Sequence, residues 1–145
     1  MIFALVIGWL ALAQTQYGPA DRFVGAWENG PFHVMTEAES ERFDPCACPM
    51  FIHRIDDDTI LIDAGRGRRI YDVTTHGDIH AWTLQSPVSL PDEPYAARIG
   101  SDGRLQRTHA PGLEPDWSRA GTHARCLLPD DFDPVQPYSR SRRCT

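Results

Sequence analysis

The sequence predicts an all-β domain, a small antiparallel meander barrel of about eight short strands, with an irregular C-terminal tail and an N-terminal signal peptide. Three observations carry that reading. Between residues 21 and 109 lie several short β-type runs, most of which place apolar residues on one face with the period of two that half-buried strands require. Turn clusters separate the runs at short intervals: Asn29-Gly30, Asp56-Asp57-Asp58, Gly65-Arg66-Gly67, His76-Gly77-Asp78 and Gly100-Ser101-Asp102-Gly103. No long run with helical periodicity alternates with the strands, so a parallel βαβ architecture is not expected.

The elements follow in order. Ile2 to Ala13 is an apolar run of 12 residues ending in Ala11-Leu12-Ala13. That length suits a secretory signal and falls short of the roughly 20 residues of a membrane-spanning helix. No Lys or Arg precedes the run, so only the α-amino group supplies its positive end. No cysteine follows the cleavage pattern, so no lipid anchor is expected after the signal is removed. The mature chain is therefore expected to be secreted or periplasmic. Its divisions are 1–13 as signal, 21–109 as barrel, and 110–145 as a proline-rich tail packed on the barrel.

Asp21 to Glu28 places Phe23, Gly25 and Trp27 on one face of a first strand. Asn29-Gly30 signals a hairpin into a short edge strand over Phe32–Thr36, and Glu37 to Arg42 reads as a loop with one helical turn. Met50–Ile55 puts Phe51, His53 and Ile55 on one side. Thr59–Asp63 is the strongest β-run in the chain. Arg68–Val73 follows, with Ile70 opposite to Tyr71, then Asp78–Leu84 with His80, Trp82 and Leu84 on one face. Gln85 to Pro94 is a connection, and Tyr95–Ile99 and Arg104–Thr108 form the last hairpin. Beyond Ala110 five prolines leave few apolar anchors, with one helical turn expected over Asp116–Ala120.

Gly25-Ala26-Trp27 on the first strand of a β-meander resembles the G-x-W signature of lipocalins and related calycin-type small barrels. The resemblance covers that triplet and the strand rhythm to about Thr108. It implies a barrel whose tryptophan closes one end beneath a cavity for small apolar ligands. The helix expected after the last strands of that family is reduced here to one turn.

Four cysteines in an exported chain point to two disulfides among Cys46, Cys48, Cys126 and Cys144. Of three pairings, two tie the 46–48 segment to the tail. The third joins Cys46 to Cys48 and Cys126 to Cys144. The poverty of apolar anchors in the tail favours the long-range pairings. A bridge closing a loop of about 80–100 residues stabilises by roughly 4–5 kcal/mol in a chain-entropy account. The same stretch also offers soft donors, Cys46-x-Cys48-x-Met50-x-x-His53, suited to copper or zinc in a reduced state. A strand would point Met50 and His53 to opposite faces, and an oxidising compartment disfavours free thiols. A strained Cys46–Cys48 redox pair is the third reading.

Charge and motifs narrow the function classes. The net charge of -6 argues against nucleic-acid binding, which needs clustered cations. All 14 basic residues are arginine, so lysine Schiff-base chemistry is excluded. His76-x-x-x-His80 has zinc-like spacing but straddles a turn, and the acidic clusters at 56–58 and 130–133 lack the glycine and distal glutamate of calcium loops. No nucleophile motif, phosphate loop or dinucleotide fingerprint is present, so no cofactor and no catalytic residue is assigned. The leading expectation is non-enzymatic binding of a small apolar or amphipathic ligand, or of a partner at the barrel rim, with Trp27, His53, His80 and Trp82 as cavity residues. The alternative is an envelope metal or redox protein using Cys46, Cys48, Met50 and His53. The deciding feature is whether Phe23, Trp27, Ile62 and Trp82 fill the barrel.

Overall fold

The computed structural model describes residues 18–31, 33–65, 67–85 and 94–135. The signal segment 1–13, Cys144 and the C-terminal arginines lie outside these residues. Eight antiparallel strands pair strictly in chain order. They are β1 (Gly25–Trp27), β2 (Met50–Asp56), β3 (Thr59–Asp63), β4 (Arg68–His76), β5 (Ile79–Leu84), β6 (Tyr95–Ile99), β7 (Leu105–His109) and β8 (Gly121–His123). A meander results because each strand ends in a tight turn or returns beside its predecessor. Glycines with positive φ serve three of these turns: Gly65 (83°), Gly77 (61°) and Gly103 (78°).

The sheet curls into a nearly closed barrel. Just past β8 the chain comes back against β1 through an antiparallel bridge, Trp27 with Arg125. Glu28 N donates to Ala124 O at 2.8 Å, and Cys126 N donates to Ala26 O at 2.9 Å. The seam is reinforced by the Glu28 carboxylate, which accepts from Ala124 N at 2.7 Å. It is also tied covalently, because Cys46 is bonded to Cys126 across 80 residues. Cys48 is disulfide-bonded as well.

The inward face follows from the register, since directly paired residues point the same way. Trp27 with Met50, Ile52 with Ile62, Ile60 with Tyr71 and Val73 with Trp82 are cross-strand partners, and all lie in the core. One end of the barrel is sealed by a 3-10 turn, η1 (Asp21–Phe23). Phe23 is fully buried and meets Trp82 edge-on at 5.0 Å and His80 at 5.4 Å. Trp27 Nε1 donates to Phe23 O at 2.9 Å, tying the first strand to this plug. Arg125 covers the outside of the seal. Its guanidinium lies 4.2 Å from the Trp27 ring centre and donates to Val24 O and Arg22 O, both at 3.3 Å. Gly25, at φ 149°, leaves room for it: a Cβ there would fall 2.8 Å from Arg125 Nη1.

Two expectations are corrected. The Asn29-Gly30 hairpin and the edge strand over Phe32–Thr36 do not form among the described residues. Asn29 is tied elsewhere, its N–H to Pro45 O and its side chain to Ala64 O, and β1 pairs with β2 instead. Pro31 removes a donor, and Thr36 begins a helix, α1 (Glu37–Arg42), through a reciprocal capping box with Glu39. The eighth strand comes from the stretch after residue 110: Gly121–His123 pairs with β7. Its three residues carry no apolar alternation, so no sequence pattern announces it. The turn expected over Asp116–Ala120 is present as a 3-10 turn, η3 (Trp117–Arg119), capped by Asp116 and packed through Trp117 under Arg98 at 3.9 Å.

Candidate functional site

The expected cavity residues are distributed over three environments. Trp27 and Trp82 are 0% and 1% exposed and belong with Phe23 and Ile62 to one buried core cluster, so these four side chains help fill the barrel. His80 faces inward beside Phe23, with its Nδ1 3.3 Å from Thr75 Oγ1. Burial, followed by the nearby Arg22 charge, holds its pKa below the usual imidazole value.

His53 is on the outer face, because Met50 and Ile52 take the inward positions of β2. There it is covered by the tail. The His53 ring stacks on Phe132 at 4.9 Å, and its Nδ1 donates to Asp133 O at 2.6 Å. Arg54 N donates to Pro134 O at 2.8 Å in continuation. His53 therefore anchors the tail and does not line the interior.

The soft-donor set does not assemble. Cys46 and Cys48 are in disulfides, Met50 is fully buried in the core, and His53 points the other way. Among the described residues no group of three or more His, Cys, Asp or Glu side chains is placed to hold a metal ion. His76 and His80 also separate. His80 is inward, and His76 is exposed and bonded to Thr74 Oγ1 at 3.1 Å. On the flank of the barrel, Cys46, Cys48, Phe51, Asp63, Leu127 and Leu128 border a cleft of about 330 Å³.

The inward face of β5 to β8 also carries a charged residue. Tyr95 pairs with Trp82 and with His109, Ala97 with Arg107, and Arg107 with Gly121, so all these positions face inward. Tyr71 and Tyr95 meet edge-on at 6.3 Å, Tyr71 and Trp82 are tilted at 6.1 Å, and His109 lies over Tyr95 at 4.2 Å. Arg107 is half-buried among them, its guanidinium 5.8 Å from the Tyr95 ring centre. Desolvation pushes its pKa down and Arg69 adds to that, while Tyr95 and Tyr71 act the other way. Arginine nonetheless remains charged at any physiological pH. No carboxylate pairs with it among the described residues. Trp82 Nε1, also inward, is buried without a hydrogen-bond partner.

No family model, curated protein or solved structure matches this chain. The reading of the site therefore rests on its own chemistry.

Arg107, Tyr71 and Tyr95 were not among the residues singled out from the sequence. The alternation Leu105-x-Arg107-x-His109 does place Arg107 on the face of Leu105. A charged residue inside a small barrel runs against the rule that such positions are apolar, so periodicity by itself gave no reason to select it. His123 was missed for the same reason as β8. It is directed inward opposite Leu105, donates through Nδ1 to Glu28 O at 2.8 Å, and has its pKa lowered chiefly by burial.

Proposed function

We propose that this protein is an exported, non-catalytic binding protein of lipocalin-like architecture that takes a small amphipathic ligand at the barrel end around Arg107 and Tyr95. The observation that carries the proposal is the half-buried Arg107 on the inward face of β7, beside Tyr95 and with no carboxylate partner among the described residues. Phe23, Trp27, Ile52, Ile60, Tyr71 and Trp82 form the packed core, and Tyr95, Arg107 and His109 lie partly exposed at its edge. Aromatic walls with a few convergent polar groups are what small-molecule sites use for affinity and orientation. Gly25-Ala26-Trp27 supports the architecture, with Trp27 at the sealed end and beneath the proposed site. The Cys46–Cys126 bridge supports an oxidising, extracytoplasmic location.

The test is a fluorescence titration of the purified protein with N-phenyl-1-naphthylamine, a neutral apolar fluorophore. Saturable one-to-one enhancement is expected in the wild type. Gly121→Leu should abolish it, because Gly121 is the inward partner of Arg107 and its backbone φ is not in the left-handed region. A Cβ at Gly121 meets nothing closer than His123 Nε2 at 3.5 Å, so the substitution fits the fold while its larger branch occupies the mouth. Failure of the wild type to bind, or equal binding by Gly121→Leu, would reject the site.

A further inference from the structure

We infer that the cleft on the flank of the barrel is occupied by the protein's own C-terminal arm, residues 136–145, with Cys144 bonded to Cys48 and Tyr138 seated against Phe51 and Leu128. This surface is separate from the Arg107 end, and the inference does not depend on the ligand site proposed there.

The bridge comes first. The chain has four cysteines. Cys46 is bonded to Cys126, and Cys48 is also in a disulfide. Cys144 is the one cysteine left to serve as its partner. Cys48 itself lines the cleft, together with Cys46, Phe51, Leu127, Leu128 and Pro129. A bond to Cys48 therefore delivers the end of the chain to the cleft wall.

Reach then fixes the path. Phe132 stacks on Phe51 at 5.8 Å and on His53 at 4.9 Å, and Arg54 N donates to Pro134 O, so the described chain ends beside Arg54. Arg54 lies six positions beyond Cys48, which in extended chain is about 20 Å. The nine steps from Val135 to Cys144 span about 30 Å at most. The arm must turn back along β2, because the spare length of about 10 Å is too little to pass around the barrel. Tyr138 comes four positions after Pro134, and Phe51 three positions before Arg54, so the return brings the two rings to one level.

The chemistry of the arm suits this surface. Leu127 and Leu128 are exposed beside the half-buried Phe51, giving the cleft an apolar wall. Tyr138 is the arm's only aromatic residue. A tyrosine lays its ring on such a wall and keeps its hydroxyl in water. Arg140, Arg142 and Arg143 follow it and return past Asp130, Asp131 and Asp133. Surface ion pairs of this kind contribute little each. They need to contribute little here, because an arm tethered at both ends meets the cleft at a high effective concentration. An external apolar ligand is thereby kept out of the flank, which leaves the barrel end as the binding surface.

Two measurements on the full chain test the inference. The first is peptic digestion of the native protein at acid pH, where disulfides do not exchange, followed by mass spectrometry with electron-transfer fragmentation between Cys46 and Cys48. The Cys144 peptide should be attached at Cys48 and the Cys126 peptide at Cys46. A free Cys144 thiol, or Cys144 bonded to another cysteine, would overturn the inference. The second is hydroxyl-radical footprinting of wild type, Tyr138→Ser and Cys48→Ser with Cys144→Ser. Oxidation of Phe51 and Leu128 should rise at least threefold in the double variant and about twofold in Tyr138→Ser. Oxidation of the buried Trp82 should stay unchanged and report an intact fold. Tyr138→Ser keeps the bridge, so it decides the seating even where the double variant unfolds. Equal oxidation of Phe51 and Leu128 in wild type and Tyr138→Ser would overturn the occupancy of the cleft, whatever the disulfide map shows.

Discussion

Replacing Arg125 by methionine tests how the barrel is closed. In the native structure this guanidinium lies 4.2 Å from the Trp27 ring centre and donates to Val24 O and Arg22 O at 3.3 Å. It thus links the chain past β8 to the η1 plug and the first strand, about 100 positions earlier in sequence. The side chain is exposed, so each contact is modest. A cation–π contact at an exposed site is worth about 0.5–1 kcal/mol. Two long hydrogen bonds to backbone carbonyls add about 0.5 kcal/mol each. Methionine retains an apolar stem over the indole and removes all three, so the expected loss is about 1.5–2 kcal/mol. Arg125→Ala should lose roughly a further 0.5 kcal/mol, from stem area no longer covered. Urea unfolding followed by tryptophan fluorescence measures both, and the slope with denaturant should stay constant while the midpoint falls. A midpoint for Arg125→Met indistinguishable from wild type would show that the seam holds without this residue, and the account of closure would be wrong.

Two further outcomes follow from the same structure. Cys46→Ser with Cys126→Ser opens a loop spanning 80 residues, for which chain entropy sets an upper bound of about 4.5 kcal/mol. Because Cys48 is bonded too, part of the constraint persists, and a loss of about 2–4 kcal/mol in non-reducing urea titrations is expected; a loss below about 1 kcal/mol would contradict the stapling role. The second concerns pH. His80 and His123 have folded pKa values below the ordinary 6.5, chiefly through burial, so the unfolded chain binds more protons once the pH falls below that value. Stability is then fully present above about pH 6.5 and declines on acidification until the depressed folded values are passed. Urea midpoints at pH 7.5 and 5.5 should show that decline, and His80→Asn with His123→Asn should flatten it. A wild-type midpoint that rises on acidification would refute the burial of these two rings.

What could be read directly from the chain was local. Thr59–Asp63 and Ile79–Leu84 have β-rich composition and alternation, and the turns around Gly65, Gly77 and Gly103 require the left-handed conformations that glycine tolerates. The capping box at Thr36 and Glu39 is equally local, yet it competed with a hairpin signal at Asn29-Gly30, and long-range bonds from Asn29 to Pro45 and Ala64 settled the outcome.

The sequence by itself thus determined an antiparallel all-β meander and the parity of its side chains, because period-two alternation and turn chemistry act within a few residues. Only the tertiary structure decided which parity is the inside. It turned His53 outward under Phe132 and Arg107 inward beside Tyr95. It recruited Gly121–His123 as the eighth strand, joined Cys46 to Cys126, and set Arg125 over Trp27. The physical reason is that these contacts join residues from about 12 to about 100 positions apart, beyond the reach of local periodicity. Their energy exists only once the sheet has curled, and no local pattern of residues encodes the curl.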